Sequence, residues 1–197
     1  DFGQREHLLM IFISPYILMM MFKDQINTSK YLSFTIGVFA SLGFNLKPHF
    51  FLIFIGIEFI YLLHKKDILS IFRIESIIII LSAFIYLIII FYLFPEYINI
   101  ILPFAMDTYT NVFNKPYKFL ILNLEFILLF TTVIFWFFFT KKELTLSIKI
   151  IFITIISTLV IYLLQQKGWS YHRLPLLVIC LFLLIYITFS VLEKNKF

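Results

Sequence analysis

The run of residues 74–94 constrains this chain more than any other stretch, because it is apolar over nearly its whole length. A helix needs roughly 20 apolar residues to cross the hydrocarbon core of a bilayer. Similar runs recur along the chain, which is 62% hydrophobic and only 14% charged, whereas soluble domains are about 25% charged. The sequence therefore predicts an all-α, polytopic transmembrane helical bundle whose main partner is the lipid bilayer.

We predict about seven membrane spans, each an apolar run bounded by polar or basic residues. In chain order they cover residues 8–22, 31–46, 50–63, 74–94, 119–139, 146–164 and 176–192. Only Lys47, Pro48 and His49 separate the second span from the third. A single helix through both would be too long for one crossing, and Pro48 would break it. Small residues in the second span, such as Ala40 and Gly43, permit close helix packing.

We expect residues 1–197 to form a single transmembrane domain, since no internal repeat or low-complexity linker divides them. The chain begins with Asp1, and residues 1–7 resemble an interior loop, so we expect the domain to be the C-terminal part of a longer protein. The lone Cys180 excludes a disulfide framework and a thiol metal site. Abundant Phe, Ile, Lys and Asn indicate an AT-rich, bacterial coding sequence.

The distribution of Lys and Arg predicts how the spans are oriented. With seven spans, ten of the 16 basic residues fall on one side and six on the other. The side richer in Lys and Arg is the cytoplasmic one. Three polar clusters, at residues 1–7, 47–49 and 167–173, then share the non-cytoplasmic face.

These three clusters contain the groups best suited to chemistry. Arg5 and Lys47 suit phosphate, the first through its planar fork and the second as a point charge. Trp169 beside cationic groups suits a sugar phosphate, because the ring stacks on the sugar. Each cluster also has a purely structural interpretation: a solvated loop at residues 1–7, a snorkelling Lys47, and an interfacial anchor at Trp169.

Two acids, Glu58 and Glu125, fall inside apolar runs. An intramembrane carboxylate is costly and indicates a functional site facing the bundle or a cavity. The alternative is a protonated, hydrogen-bonded core acid. Asp107, in the long connection over residues 95–118, is a further acid with access to a substrate. The sequence contains no P-loop, no dinucleotide fingerprint, no HExxH and no GxSxG motif, so soluble-nucleotide chemistry has no support.

Three short strings resemble those of a group of bacterial multi-pass proteins associated with the GT-C glycosyltransferases. They are Phe2-Gly3-Gln4-Arg5-Glu6-His7-Leu8, Leu46-Lys47-Pro48-His49-Phe50 and Lys167-Gly168-Trp169-Ser170-Tyr171-His172. The resemblance implies a bundle in the bacterial inner (cytoplasmic) membrane with an extracytoplasmic active site. It also implies a polyprenyl-phosphate sugar donor, a loop acid as base and basic residues on the phosphate, often without a metal. The first span and acidic loop of that group have no counterpart ahead of Asp1.

We therefore expect an inner-membrane glycosyltransferase that transfers a sugar from a polyprenyl-phosphate donor to an extracytoplasmic acceptor, without a cofactor, a metal or nucleic acid. Asp1 or Glu6 is expected to act as the base or to orient the acceptor. The expected substrate-binding residues are Arg5, His7, Lys47, His49, Lys167, Trp169, Tyr171, His172 and Arg173. The alternatives are a transporter or flippase that uses Glu58 and Glu125, and an inactive remnant.

Overall fold

The computed structural model describes residues 3–121, 131 and 145–194, with the backbone alone at 109–111 and 190–194. In this part of the chain every regular element is helical, which confirms the prediction of an all-α protein. The α-helices are α1 (Arg5–Met21), α2 (Lys30–Phe44), α3 (Phe51–Lys65), α4 (Ile74–Leu93), α5 (Leu102–Phe113), α6 (Tyr117–Ile121), α7 (Leu146–Gln165) and α8 (Leu174–Lys194). Short 3-10 helices cover Pro48–Phe50, Ile68–Ile71 and Ser170–Arg173, and a π-helical turn covers Tyr97–Ile101.

Four helical stretches in these residues are long and apolar enough to cross a membrane. They are Pro48–Lys65, Ile74–Leu93, Leu146–Gln165 and Ser170–Phe189, and Lys30–Phe44 is a shorter apolar helix. These stretches make the chain a membrane protein. The count of about seven spans stays a prediction, and most of the fifth predicted span, 119–139, lies outside the described residues.

The turn between α2 and α3 has the form that its sequence predicts. α2 ends at Phe44 and α3 begins at Phe51, with Pro48 as the first residue of the intervening 3-10 helix. Proline suits that position because its φ is fixed and its missing N–H has no partner to lose. The prediction of two helices rather than one is confirmed by this break.

Helix α1 forms the centre of the bundle and packs on α2, α7 and α8. Its residues Leu9, Ile13, Tyr16, Ile17 and Met20 are fully buried. α7 also packs on α3 and α8, and α2 packs on α4. The predicted close packing at α2 is present: a Cβ built on Gly43 would lie 2.8 Å from Cγ2 of Ile13.

Helix α4 and the segment after it surround the bundle on one side. The first turns of α4 bury Glu75, Ser76 and Ile79, whereas its second half is exposed along several faces, as at Phe84 and Tyr92. An exposed apolar helix of this kind suits contact with lipid tails. Residues 95–118 appeared in the sequence as a connecting segment, but they contain the π-helical turn and α5. These helices return the chain to Asn114, which contacts Gln166 at the end of α7.

Candidate functional site

The three polar clusters predicted from the sequence meet at the start of α1. We define the His172 cluster as Glu6, Lys47, His49, Gln165 and His172. Lys47 Nζ donates to Oε1 of Glu6, and Nε2 of His172 lies 3.6 Å from the same oxygen. The side chains of Glu6 and His172 are only 1% and 5% exposed. A carboxylate, an ammonium and an imidazole from three distant parts of the chain therefore share one buried site.

Local structure explains how each of these side chains is placed. Glu6 lies in the first turn of α1, where the positive end of the helix dipole stabilises a carboxylate. Lys47 directly precedes the 3-10 helix that begins at Pro48, and His172 belongs to the 3-10 helix that leads into α8. Because α2 and α7 both end near the start of α1, their connecting turns converge on Glu6.

Helix α7 contributes a further polar contact to the His172 cluster. Nε2 of Gln165 lies 3.0 Å from Nε2 of His49. The ring of His49 stands edge-on to the buried ring of Phe50, with centroids 5.0 Å apart, and the Lys47 ammonium lies 5.6 Å from the centre of that same ring. The basic groups of the cluster thus stand against an aromatic wall rather than in open solvent.

An aromatic group borders the cluster on the side of His172. The ring of Tyr171 meets that of His172 edge-on at 4.5 Å, and Trp169 lies 5.2 Å from His172 and 5.6 Å from Tyr171. Phe113 of α5 meets Trp169 edge-on at 5.7 Å. These contacts restrict the orientation of the imidazole, and they place two large rings beside His172, whose Nε2 lies 3.6 Å from Glu6.

Three side-chain polar atoms of the cluster are buried without a hydrogen-bond partner. Among the described residues they are Oε2 of Glu6, Nδ1 of His172 and Oε1 of Gln165. Nearly all buried polar atoms in native proteins are paired, so each exception needs a reason. A carboxylate oxygen and an imidazole nitrogen with unused hydrogen-bonding capacity, side by side, can bind a donor such as a hydroxyl group.

The other predicted site residues lie around the His172 cluster rather than in it. Asp1 falls outside the described residues. Arg5 is exposed, whereas His7 and Arg173 are half-buried. Lys167 donates to Oδ1 of Asn114, and partial burial lowers the pKa of its ammonium group. Glu6 is therefore the predicted catalytic acid that the structure places in the cluster.

A second polar cluster, which the sequence did not reveal as a unit, lies toward the other end of α1. We define the Arg73 cluster as Tyr16, Lys23, Glu58, Arg73, Glu75 and Ser76. Arg73 contacts Glu58 at 2.6 Å and Glu75 at 2.9 Å, and Lys23 contacts Glu75 at 2.7 Å. Two cations therefore face two carboxylates at this end.

Glu58 is saturated with partners in the Arg73 cluster. Its carboxylate accepts hydrogen bonds from Tyr16 at 2.6 Å, from Ser76 at 2.9 Å and from Arg73 at 2.6 and 2.9 Å. The sequence left Glu58 as a functional acid or a protonated core acid, and the guanidinium beside it was not foreseen. The Ile68–Ile71 helix connects α3 to α4 and places Arg73 in contact with Glu58. No local spacing of residues in the sequence indicates this contact.

Asp24 continues the polar surface at this end of the bundle. It contacts Lys65 at 2.6 Å and Nε2 of His64 at 2.7 Å. The hydrogen bond from Lys65 lowers the pKa of the Asp24 carboxyl group, with a smaller contribution from His64 against the opposing effect of partial burial. Unlike Glu58, Asp24 remains partly exposed, with 36% of its side chain accessible.

Fold and site together define a helical membrane protein with a buried acid, two basic groups and a group of aromatic rings in mutual contact at one end. Comparisons with family models, curated proteins and solved structures found no match to the chain. Within the described residues, no three His, Cys, Asp or Glu side chains are arranged to hold a metal ion.

Proposed function

We propose that the chain belongs to a glycosyltransferase of the bacterial inner membrane that transfers a sugar from a polyprenyl-phosphate donor to an extracytoplasmic acceptor. The observation that carries the proposal is the buried contact of Glu6 with Lys47 and His172. Glycosyl transfer from a lipid phosphate requires a cation for the phosphate, a base for the acceptor hydroxyl and a surface for the sugar. The His172 cluster and its border contain all three kinds of group.

Lys47 is the phosphate ligand in this proposal. Its side chain is 17% exposed, and the ammonium group lies 5.6 Å from the centre of the Phe50 ring, next to an apolar wall. An ammonium in such surroundings is poorly screened by water, which strengthens its attraction to an anion. Lysine serves as a phosphate ligand through its compact charge. A phosphate bound here stabilises the charge that develops as the bond to the sugar breaks.

Glu6 is the acid that receives or orients the acceptor hydroxyl. One carboxylate oxygen is bound by Lys47, and Oε2 is the buried oxygen that lacks a described partner. A general base must lie within hydrogen-bond reach of the proton that it accepts. The free oxygen has the chemistry needed to accept a proton from a hydroxyl, while the bond to Lys47 fixes the orientation of the carboxylate.

The faces of Trp169 and Tyr171 are the sugar-binding surface in this proposal. Their rings lie 5.6 Å apart beside His172, so a pyranose ring stacked on either would be close to Glu6. The transporter alternative has less support from the described contacts. Its acid Glu58 is saturated by Arg73, Tyr16 and Ser76, and Glu125 lies outside the described residues.

The experiment that tests the proposal is a transfer assay in proteoliposomes that contain a radiolabelled polyprenyl-phosphate sugar. Release of the sugar from the lipid is followed by thin-layer chromatography for the wild-type protein and for Glu6→Gln. We expect wild-type protein to release the sugar and Glu6→Gln to do so about 100-fold or more slowly, the usual contribution of a general base. Equal rates for the two proteins, or no release by the wild type, would contradict the proposal.

A further inference from the structure

The reactive atoms of the His172 cluster are closed off from solvent. Oε2 of Glu6 and Nδ1 of His172 each expose almost no surface, and their side chains are 1% and 5% exposed. A substrate reaches such atoms only after a neighbouring group moves. One of the segments that cover these atoms must therefore be able to move.

The turn that follows α7 has the properties of a movable cover. Its Trp169 packs on His172 at a ring distance of 5.2 Å. Two residues of the turn have left-handed backbone conformations, Gln166 with φ 51° and Gly168 with φ 67°. Glycine adopts this region freely, but a residue with a side chain such as Gln166 is strained there. The closed turn therefore needs contacts from outside to hold it.

Those contacts come from the end of α5. Nδ2 of Asn114 donates to Oε1 of Gln166 at 3.1 Å, and Lys167 Nζ donates to Oδ1 of the same asparagine. The backbone N–H of Lys115 donates to the carbonyl oxygen of Gln166 at 2.7 Å. Asn114 therefore binds two adjacent residues of the turn, the strained Gln166 and Lys167.

The helix that precedes Asn114, α5, follows a segment in which the regular helical hydrogen bonding is interrupted. α5 follows a π-helical turn, Tyr97–Ile101, that begins two residues after Pro95, and both features interrupt regular helical hydrogen bonding. Within the described elements, α5 packs most extensively on this π-helical turn. Helix kinks and sites of motion are commonly found at such interruptions.

We propose that the turn from Gln166 to Trp169 is a gate over the His172 cluster and that Asn114 is its latch. In the closed state the side chain of Asn114 binds Gln166 and Lys167, and Trp169 covers His172. When these bonds break, the turn leaves its left-handed conformation and exposes Glu6 and His172 to substrate. The gate rests on the proposed function only in that the cluster it covers is the substrate site.

Diethyl pyrocarbonate tests the gate directly, because it modifies imidazole nitrogens that solvent can reach. Modification of His172 is measured by peptide mass spectrometry on the full chain in lipid nanodiscs. His64, which is exposed at the other end of the bundle, is the internal reference. We expect Asn114→Ala to speed modification of His172 about tenfold, the effect of losing two exposed hydrogen bonds, and to leave His64 unchanged.

Two further variants keep this test decisive. Asn99→Ala removes an exposed asparagine from the π-helical turn and is expected to leave modification of His172 at the wild-type rate. Gly168→Ala disturbs the closed turn without touching Asn114, since it adds a Cβ at positive φ that would lie 3.2 Å from Leu120 Cδ2. We expect it to speed modification of His172 as well.

The proposal is overturned if both Asn114→Ala and Gly168→Ala match the wild type in modification of His172. It is also overturned if His172 of the wild-type protein reacts as fast as His64. Sugar transfer does not enter this measurement. The gate proposal therefore holds if the modification rates change as expected, even if Glu6→Gln keeps its transfer activity. Conversely, unchanged modification rates would overturn the gate without affecting the result of the transfer assay.

Discussion

The two ends of α1 carry polar clusters of similar composition but opposite character. In the Arg73 cluster, two carboxylates face two cations, and Glu58 alone accepts bonds from three side chains. In the His172 cluster, one carboxylate faces a lysine and a histidine. There the buried atoms Oε2 of Glu6 and Nδ1 of His172 have no partner among the described residues.

This difference separates a structural role from a functional one. A buried charge stabilises a fold only when its hydrogen-bonding capacity is satisfied, and a saturated network has little capacity left for a ligand. The Arg73 cluster joins α1, α3 and α4 by such a network. Buried polar atoms without a hydrogen-bond partner reduce stability. Proteins keep such atoms mainly where a ligand or substrate binds to them. We therefore infer a structural role for the Arg73 cluster and a functional one for the His172 cluster.

The largest effect that we predict is at Arg73. Arg73→Met leaves the buried carboxylate of Glu58 without its cation and is expected to lower the free energy of unfolding by about 3–5 kcal/mol. Reversible unfolding in bicelles, followed by circular dichroism, measures the change. Lys66→Met is the matched control, because Lys66 is an exposed cation in the same connection and is expected to cost less than about 0.5 kcal/mol.

A second variant tests whether the unpaired charge of Glu58 causes the loss of stability in Arg73→Met. In the double variant Arg73→Met with Glu58→Leu, the uncompensated charge is gone, so part of the lost stability should return. If the single variant Arg73→Met is as stable as Lys66→Met, the network does not hold the three helices together. The Arg73 cluster would then have no structural role.

At the other end, Lys47→Met leaves Glu6 without its cation and is also expected to weaken binding of the lipid donor. Loss of a charge-assisted contact to phosphate corresponds to about 1.5–3 kcal/mol, which is roughly a 10- to 100-fold increase in KM for the lipid donor. Lys47→Arg keeps the charge and is the control. If Lys47→Met leaves KM unchanged, the lysine serves only as a counter-ion of Glu6, and the two clusters would be alike.

A substitution at Gly43 tests the close packing of α2 on α1 between the two clusters. Gly43→Ala places a Cβ 2.8 Å from Ile13 Cγ2 and is expected to cost about 1–3 kcal/mol, as overpacking does. Leu42→Ala, on the exposed side of the same helix, is the control, with a loss below about 0.5 kcal/mol. Unfolding in bicelles measures both. Equal stabilities would mean that α1 and α2 adapt without strain.

The smallest effect concerns pH and Asp24. The folded-state pKa of Asp24 lies below its ordinary value of 3.8 because of Lys65. Its contribution to stability is therefore present above that value and is lost as the pH falls through the folded-state pKa. Because Asp24 is partly exposed, Asp24→Asn should cost at most about 0.5 kcal/mol at pH 7. Unfolding of both proteins at pH 7 and pH 3 should show a smaller difference at the lower pH.

Much of the His172 cluster followed from the sequence. The short connection Lys47-Pro48-His49 implied two helices, and the resulting parity of the spans placed residues 1–7, 47–49 and 167–173 on one face. The structure brings Glu6, Lys47 and His172 from these stretches into contact. Orientation of the chain relative to the membrane stays a prediction.

The Arg73 cluster did not follow from the sequence. Arg73 was counted as one of several basic residues in a connection, where charge patterns indicate topology and not pairing. Its contact with Glu58 depends on the reversal at Ile68–Ile71, and its contact with Lys23 through Glu75 depends on how α4 packs. The helical nature of residues 97–113 was also missed, because Pro95, Pro103 and several polar residues favour a loop in the sequence.

The different roles of the two clusters are tested most directly by comparing Glu6→Gln with Glu58→Gln. Sugar release from the lipid donor and the free energy of unfolding are measured for each single variant. For Glu6→Gln we predict that release falls about 100-fold or more and that stability falls less than in Glu58→Gln, because Glu6 has fewer hydrogen-bond partners than Glu58. For Glu58→Gln we predict a loss of stability of about 2 kcal/mol or more, as for weakening a buried ion pair, with release close to that of the wild type while the protein is folded. The reverse pattern, with release lost in Glu58→Gln and retained in Glu6→Gln, would contradict the account.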